Sequence, residues 1–234
     1  GGGVGGRGGR GNGALSTKGQ GGKKGVATPP KGGDKKWLKL ELRLVADIGL
    51  VGVPNAGKST LLDAITNARP KIANYPFTTI VPNLGVCQVG GGEAMGGATM
   101  VVCDIPGLLE GAHEGVGLGR GFLRHVERCK IIVHIVNGDS VDPVGDFEAI
   151  NRELRLFSPT LASKPQVVVL NKVDLPHVKD RVESLKEGLR EHMTHSRLLV
   201  VSAAARQGVH DLVTRTHAFL QKVKENDAQG SEST

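Results

Sequence analysis

The stretch GVPNAGKS, residues 52–59, places the strongest constraint on how this 234-residue chain can fold. It matches the pattern G-x-x-x-x-G-K-[ST] and stands between the apolar run IGLVGV and the helix-forming sequence STLLDAI. A strand that leads into such a glycine turn directs backbone N–H groups and the positive end of a helix at phosphates. The spacing therefore predicts a phosphate-binding loop, or P-loop.

Three residues of this loop have separate expected tasks. Gly57 lets the backbone come close to a phosphate, Lys58 neutralises charge on the β- and γ-phosphates, and the Ser59 hydroxyl binds Mg²⁺. The predicted contact residues of the loop and the first helical turn are Gly52, Val53, Pro54, Asn55, Ala56, Gly57, Lys58, Ser59 and Thr60.

Strands and helices are expected to alternate along the rest of the chain, which predicts an α/β fold with a doubly wound, mostly parallel sheet. The segment Trp37–Leu44 alternates like a half-exposed strand, and Gly90–Ala98 is expected to connect two antiparallel strands. The predicted strands lie near residues 48–53, 84–89, 99–104, 131–136, 166–171 and 197–202. The predicted helices lie near residues 58–67, 118–129, 144–157, 178–193 and 208–224.

Positive charge is concentrated at the start of the chain. Residues 1–46 hold 10 Lys/Arg against 2 Asp/Glu, whereas residues 47–223 hold 19 against 18. Because no amphipathic helix accompanies this charge, it favours RNA over a membrane as partner, and no DNA partner is expected. A solvated basic tail without a partner is the alternative.

Composition also predicts three parts of the chain. The opening GGGVGGRGGRGNG cannot bury a core by itself, so we expect a glycine-rich remnant and linker over residues 1–45. A nucleotide-binding domain is expected over residues 46–224 and a disordered tail over residues 225–234. The first residue is Gly and no signal-peptide pattern follows, which suggests a missing upstream region.

The three cysteines, Cys87, Cys103 and Cys129, show no CxxC spacing. They are expected to be core thiols in a reducing compartment and to form neither a disulfide framework nor a zinc site. No apolar run approaches the roughly 18 residues that a membrane span requires, so no membrane association is expected.

A second phosphate-related motif is DIPG. Asp104 ends the strand TMVVCD and precedes Ile105, Pro106 and Gly107. A carboxylate at that point can hold Mg²⁺ through water, and the Gly107 N–H can donate to a γ-phosphate. An Asp after a strand is also often only a helix cap.

The sequence NKVD, residues 171–174, predicts guanine specificity. The Asp174 carboxylate can accept hydrogen bonds from guanine N1–H and from its 2-amino group, which adenine does not offer in that arrangement. Asn171 is expected to brace the loop, the stem of Lys172 to cover the base, and the Ala203 N–H to donate to guanine O6. The predicted base-contacting residues are Asn171, Lys172, Val173, Asp174, Ser202, Ala203 and Ala204.

Thr78 and Thr79 lie between the first helix and the second strand, where a loop has to reach Mg²⁺ and the γ-phosphate. One threonine suffices, and position alone does not choose between them. A surface turn stabilised by these hydroxyls is the alternative.

Four segments together resemble the Obg family of ribosome-associated GTPases: GVPNAGKSTLL, NYPFTTIVPNLG, DIPGLLEGAHEGVGLGRGFLRHVER and NKVD. The similarity runs from about Trp37 to Lys222. It implies a GTPase domain that binds GTP or GDP with Mg²⁺ and acts on a large ribosomal subunit precursor and its rRNA. It also implies that Thr79 binds Mg²⁺ together with Ser59 and Asp104. The implied first switch consists of Phe77, Thr78, Thr79, Ile80 and Val81.

The same resemblance makes residues 1–45 the end of a glycine-rich Obg domain that docks into rRNA. Most of that domain is expected to be absent from this sequence, and so is a family-type C-terminal domain after Lys222.

Hydrolysis is the open question, because Leu108 stands where small signalling GTPases carry a water-orienting glutamine. Leucine offers no hydrogen-bonding atom. In related GTPases with an asparagine at the position of Asn55, a bound K⁺ supplies positive charge; a simple turn-forming role for Asn55 is the alternative. The residues expected to carry hydrolysis are Asn55, Lys58, Thr79 and Gly107.

Other basic side chains have weaker claims to a role. His113 is expected to be solvated, His125 to pack against or cap the helix predicted over 118–129, and His134 to be a hydrogen-bonded core histidine. Three arginines of the helix predicted over 118–129 form either a solvated face or a surface that meets rRNA: Arg120, Arg124 and Arg128.

The expected function is a slowly hydrolysing GTP switch that joins the large ribosomal subunit as a monomer during assembly. The alternative is a nucleotide-sensing, RNA-binding scaffold with negligible turnover. The basic flank and the missing N-terminus favour the mitochondrial matrix or another organelle over the cytoplasm.

Overall fold

The computed structural model describes Gly8 and residues 30–33, 46–66, 71–72, 83–90, 97–105 and 127–231. The chain divides into two units, residues 1–42 and residues 43–234. Only Gly8 and residues 30–33 of the first unit are described, so the elements below belong to the second. The strand predicted over Trp37–Leu44 lies outside the described residues.

Seven strands of the described residues form one sheet. They are β1 (Ile48–Val51), β2 (Lys71–Ile72), β3 (Asn83–Val89), β4 (Ala98–Asp104), β5 (Ile131–Asn137), β6 (Gln166–Asn171) and β7 (Leu198–Val200). Their order across the sheet is β2-β3-β4-β1-β5-β6-β7. Pairing is parallel from β4 through β7 and antiparallel between β2 and β3 and between β3 and β4. The predicted mostly parallel sheet is confirmed, and so is the predicted antiparallel pairing of β3 with β4.

Six helices lie among the described residues. They are α1 (Lys58–Ile65), α2 (Pro143–Phe157), α3 (Pro159–Ala162), α4 (Pro176–Lys179), α5 (Val182–His192) and α6 (Val209–Ser231). The single helix predicted over 178–193 is two helices, because the Arg181 N–H donates to Val178 O and closes the first one with a tight turn. The helix predicted over 118–129 lies mostly outside the described residues, and residues 127–128 form a turn.

The sheet is buried on both faces, as a parallel sheet requires. Ile131, Val133 and Ile135 of β5 belong to a cluster that includes buried side chains of α1 and α6. The alternate β5 residues Ile132 and Val136 belong to clusters that include side chains of α2. This three-layer packing holds the loops at the strand ends in place.

Helix α6 continues to Ser231, so the prediction of a disordered tail is wrong for residues 225–231. Lys224 Nζ lies 2.7 Å from Asp47 Oδ1, and Lys130 Nζ lies 2.6 Å from Asp227 Oδ2. Such partly exposed ion pairs contribute only about 0–1 kcal/mol each. They nevertheless fix the last turns of the helix beside the segments that lead into β1 and β5.

All three cysteines are buried thiols, as predicted. Burial raises the pKa of the Cys87 thiol to about 11 and that of Cys129 to about 12. Among the described residues, no helix has the length and apolar character needed to cross a membrane.

His134 lies in the core on β5, and its ring stacks on Phe147 with 4.7 Å between the ring centroids. Its Nδ1 has no hydrogen-bond partner, so the expectation of a fully hydrogen-bonded core histidine is wrong. The core offers stacking and apolar contacts here rather than a polar partner. Burial lowers the pKa of His134 to about 3.

The buried His134 predicts a loss of stability in mild acid. Because its pKa is lower in the folded chain than in the unfolded one, the unfolded state takes up the proton first as the pH falls below about 6.5. This group should reduce the free energy of unfolding by about 2 kcal/mol between pH 7.5 and pH 5. Urea titrations at both pH values should show that His134→Leu removes this part of the pH dependence. Substitution of the exposed His210 by Leu is the control, and equal pH dependence in the three proteins would contradict the prediction.

Candidate functional site

The parallel strands bring the predicted site residues to one edge of the sheet. The P-loop follows β1, Asp104 ends β4, Asn171 ends β6, and Ser202–Ala204 follow β7. Ligands of open α/β sheets bind outside the carboxyl ends of the strands, so this edge is where a nucleotide would be expected.

The P-loop backbone has three residues with positive φ. Gly52 has φ 156°, Asn55 has φ 60° and Gly57 has φ 94°. A Cβ on Gly52 would collide with the carbonyl oxygen of Ile135, and a Cβ on Gly57 would collide with Asn171 Nδ2. Asparagine tolerates the left-handed region better than most residues, which fits the turn-forming role considered for Asn55.

Lys58 lies at the start of α1 and reaches back over the loop. Its Nζ donates to the carbonyl oxygens of Gly52 and Val53, both at 3.1 Å. These two acceptors keep the positive charge at the mouth of the P-loop, beside the amino end of the helix. Positive charge and helix N–H groups together favour an anion at this point.

Ser59 and Asp104 meet as the sequence predicts. The Ser59 hydroxyl donates to Asp104 Oδ2 at 2.8 Å, and the Ile105 N–H donates to Leu50 O at 3.2 Å, which holds Asp104 beside β1. Burial raises the pKa of the Asp104 carboxyl, opposed by the Ser59 hydrogen bond and the charge of Lys58.

The second oxygen of Asp104, Oδ1, is buried and has no hydrogen-bond partner. A buried carboxylate oxygen without a partner is costly unless a cation or a water molecule satisfies it. Together with the neighbouring Ser59 hydroxyl it offers the oxygen ligands that Mg²⁺ prefers. The residues present therefore fit Mg²⁺.

Asn171 connects two of the loops. Its Nδ2 donates to Ala56 O at 2.9 Å, and its Oδ1 accepts from the Ala203 N–H at 3.0 Å. Only 2% of the residue is exposed. The bracing geometry expected of Asn171 is present.

The Ala203 N–H donates to Asn171 Oδ1, and its donation to guanine O6 stays a prediction. The β7–α6 loop folds tightly, since buried Ser202 accepts from the Ala205 N–H through its Oγ and pairs with Gln207. This turn aims the Ala203 N–H at the side chain of Asn171.

A cleft lies between the P-loop and the NKVD segment. It is lined by Gly57, Thr60, Asn171, Lys172, Asp174, Leu175, Ala203 and Ala204. The exposed Asp174 thus stands in the same cleft as the first turn of α1. A base bound beside Asp174 would have its phosphates within reach of the P-loop.

Asp139 is a residue of this region that sequence reasoning missed. It follows β5 and lies 3.6 Å from Lys172 Nζ through Oδ2 and 2.8 Å from His177 Nε2 through Oδ1. The hydrogen bond with His177, followed by the charge of Lys172, lowers the pKa of the Asp139 carboxyl. Lys172 itself has φ 66°. The only sequence signal was an acidic residue just after a buried strand.

Several predicted residues lie outside the described part of the chain. The proposed first switch belongs to this group, as do two of the three histidines and two of the three arginines considered above. They are Phe77, Thr78, Thr79, Ile80, Val81, Pro106, Gly107, Leu108, His113, Arg120, Arg124 and His125. Arg128 is described and exposed in the turn before β5.

This fold, with a P-loop between β1 and α1 and the NKVD cleft beside it, defines a domain of the P-loop GTPase class. A sequence profile described as "50S ribosome-binding GTPase" matches residues 47–172. The chain belongs to the Obg family of GTPases.

Curated relatives come from bacteria and plants. GTPase Obg of Roseiflexus castenholzii is 52% identical over 194 residues, which are 82% of this chain and 42% of the relative. GTPase Obg of Desulforudis audaxviator is 47% identical over 224 residues, 94% of this chain and 50% of the relative. The probable GTP-binding protein OBGC1, chloroplastic, of Oryza sativa is 51% identical over 93% of this chain and 28% of the relative. The chain thus spans half or less of these relatives.

Solved structures support the fold alone, because their sequence identity is low. The cytosolic domain of the T. maritima FeoB iron transporter in its GMPPNP form has a TM-score of 0.54 at 18% identity, covering 74% of this chain and 63% of its own. A putative nucleolar GTP-binding protein 1 from Plasmodium falciparum has a TM-score of 0.55 at 15% identity, covering 80% and 91%.

Proposed function

We propose that this chain is a guanine-nucleotide switch that binds GTP with Mg²⁺, hydrolyses it slowly, and joins a large ribosomal subunit precursor through rRNA in its GTP form. The observation that carries this proposal is the shared cleft of Asp174 and the first turn of α1, joined by the Asn171 bridge. Membership of the Obg family and the description of the matched profile support the ribosomal partner.

Each described side chain has a task in this proposal. Lys58 moves its ammonium from the loop carbonyls to the β- and γ-phosphates, and the α1 amino end receives their negative charge. Ser59 and Asp104 hold Mg²⁺, which when bound neutralises charge on the phosphates. Asp174 accepts from the guanine edge, and Asp139 holds the Lys172 ammonium so that the lysine stem can lie along the base.

The other predicted residues complete the proposed site. Thr79 would supply a further oxygen ligand for Mg²⁺, and the Gly107 N–H would donate to the γ-phosphate. Leu108 cannot orient water, which is why slow turnover is proposed. The protein is proposed to act as a monomer on the ribosome.

Guanine selection by Asp174 is tested with Asp174→Asn. The variant should lose at least about 100-fold in GDP affinity, because a carboxylate that accepts two hydrogen bonds is replaced by an amide that presents a donor. Xanthosine diphosphate, which has an oxygen in place of the 2-amino group, should bind the variant better than GDP does. Titration with fluorescently labelled nucleotides measures both affinities.

The matched control is Asp180→Asn, an exposed carboxylate in the turn after α4. It should leave both affinities unchanged. If Asp174→Asn bound GDP as tightly as the wild type does, the guanine base would not bind beside Asp174.

A K⁺ requirement is tested with Asn55→Gly. Glycine keeps the positive φ of Asn55 but removes the amide oxygen, so the variant separates a K⁺ ligand from a turn former. Wild type should hydrolyse GTP faster in K⁺ than in Na⁺, and the variant should have equal rates in the two buffers. Phosphate release measures the rates. Equal rates for the wild type would eliminate the K⁺ role.

The ribosomal partner is tested by density-gradient sedimentation of the full-length protein. It should travel with large-subunit precursors in the presence of a non-hydrolysable GTP analogue and remain at the top of the gradient with GDP. Thr79→Ala, which should bind GTP without hydrolysing it, should stay on the precursors. If the nucleotide makes no difference, the scaffold alternative gains; if nothing co-sediments, the ribosomal partner is wrong.

We also propose an organellar location, in the mitochondrial matrix or another organelle. The basic flank favours it, and the name of the rice relative places that protein in the chloroplast. Fractionation of source cells, with detection of the full-length protein, would contradict it by finding the protein only in the cytoplasm.

A further inference from the structure

A second cleft lies at the opposite edge of the sheet from the P-loop. It is formed where β6 and β7 begin, by Gln166 and Arg197, and by the segments that follow α3 and α5. Asn151 and Arg155 of α2 form its remaining side. Because the P-loop cleft lies at the carboxyl ends of the same strands, the two clefts share no residue.

The described side chains that line this second cleft carry positive charge. Among the described residues that line it, none is Asp or Glu, and five are basic: Arg155, Lys164, His192, His195 and Arg197. This concentration stands out in a domain whose positive and negative charges otherwise nearly balance. We call it the basic cleft.

Neutralisation of the basic cleft by the protein itself is incomplete. His192 Nδ1 lies 2.7 Å from Glu148 Oε1. Within the described part of the chain, no carboxylate forms an ion pair with Arg155, Lys164 or Arg197. Three permanent positive charges therefore line the cleft without a contacting carboxylate from the described residues.

Arg197 is held in a fixed orientation. Its Nε donates to Gln166 O at 2.8 Å, and its Cζ lies 4.4 Å from the centre of the Phe219 ring. These contacts use Nε and one face of the guanidinium, so its terminal N–H groups remain to meet a ligand. An arginine held in place before binding loses less side-chain entropy when it receives an anion.

His195 supports the same interpretation. Its Nδ1 accepts from the backbone N–H of Arg197 at 3.3 Å. Burial, followed by the charge of Arg197, lowers the pKa of this histidine. The charge of Arg197 therefore disfavours a proton on His195, and an anion held between the two side chains would reduce that penalty.

We propose that the basic cleft binds the phosphodiester backbone of RNA, a proposal that rests on the rRNA partner proposed above. Charge complementarity favours a polymer: a single phosphate group carries about two negative charges at neutral pH, fewer than the permanent positive charges of the cleft. The basic cleft then gives the GTPase domain an RNA contact of its own, in addition to the basic residues 1–46.

The test is the double variant Arg155→Gln/Lys164→Gln in the full chain. Both side chains are at least partly exposed and lack ion pairs to the described residues, so the fold should be retained, as a thermal melt will verify. Binding of a fluorescently labelled single-stranded RNA is followed by anisotropy over a range of salt concentrations, with GDP present. Affinity should fall about tenfold, and the slope of log K against log salt should become shallower by roughly 1.4, because two phosphate contacts are lost.

The matched control is Lys179→Gln/Arg190→Gln, which removes the same charge from exposed positions of α4 and α5 outside the cleft. It should leave the salt slope unchanged. If both double variants behave alike, the cleft does not bind RNA.

Two further measurements distinguish an RNA site from a small-anion site and from a failure of nucleotide binding. Displacement of the RNA from the wild type by inorganic phosphate or pyrophosphate at matched phosphate concentration would overturn the RNA proposal in favour of a small-anion site. GDP affinity should be the same in all variants, so a failure of the basic cleft is distinguishable from a failure of nucleotide binding. A wild type that binds GDP but no RNA would overturn both the RNA partner and this cleft.

Discussion

The nucleotide edge of this domain depends on the side-chain amide of Asn171. One buried group donates to Ala56 O in the P-loop and accepts from the Ala203 N–H after β7, so two loops that are distant in sequence are joined through the end of β6. The amide also occupies the space that a side chain on Gly57 would need. A smaller residue at position 171 would leave the buried Ala56 carbonyl and the buried Ala203 N–H without a partner. A charged side chain offers only donors or only acceptors, so it would repel one of these two groups.

The second constraint on this edge is the burial of Asp104. A carboxyl group whose pKa is raised by burial, and which has one oxygen without a partner, is destabilising for the domain by itself. Buried polar atoms without a hydrogen-bond partner are typical of functional sites, where a bound ligand supplies the missing partner. Ser59 satisfies only one of the two oxygens. The proposed Mg²⁺ would satisfy the other, which links nucleotide binding to the stability of the site.

The two edges of the sheet carry different electrostatics. At the carboxyl ends, the helix amino end and Lys58 stand beside the acidic residues Asp104, Asp139 and Asp174, so positive and negative groups alternate over short distances. At the amino ends, the basic cleft has no acidic lining residue. The two proposals place nucleotide and RNA at opposite edges of one sheet.

The sequence was sufficient for the alternation of strands and helices along the chain, for the P-loop, and for the choice of Ser59, Asp104 and Asn171 as site residues. Each of these depends on residue types next to the end of a strongly apolar strand. Tertiary structure decided three things that spacing does not encode. His134 lacks its expected hydrogen-bond partner because its neighbours in the core are apolar. The Asp139–Lys172 pair and the basic cleft exist only because the sheet brings together segments that are far apart in the chain. Side-chain contacts of that kind depend on long-range packing, which no local pattern of residues records.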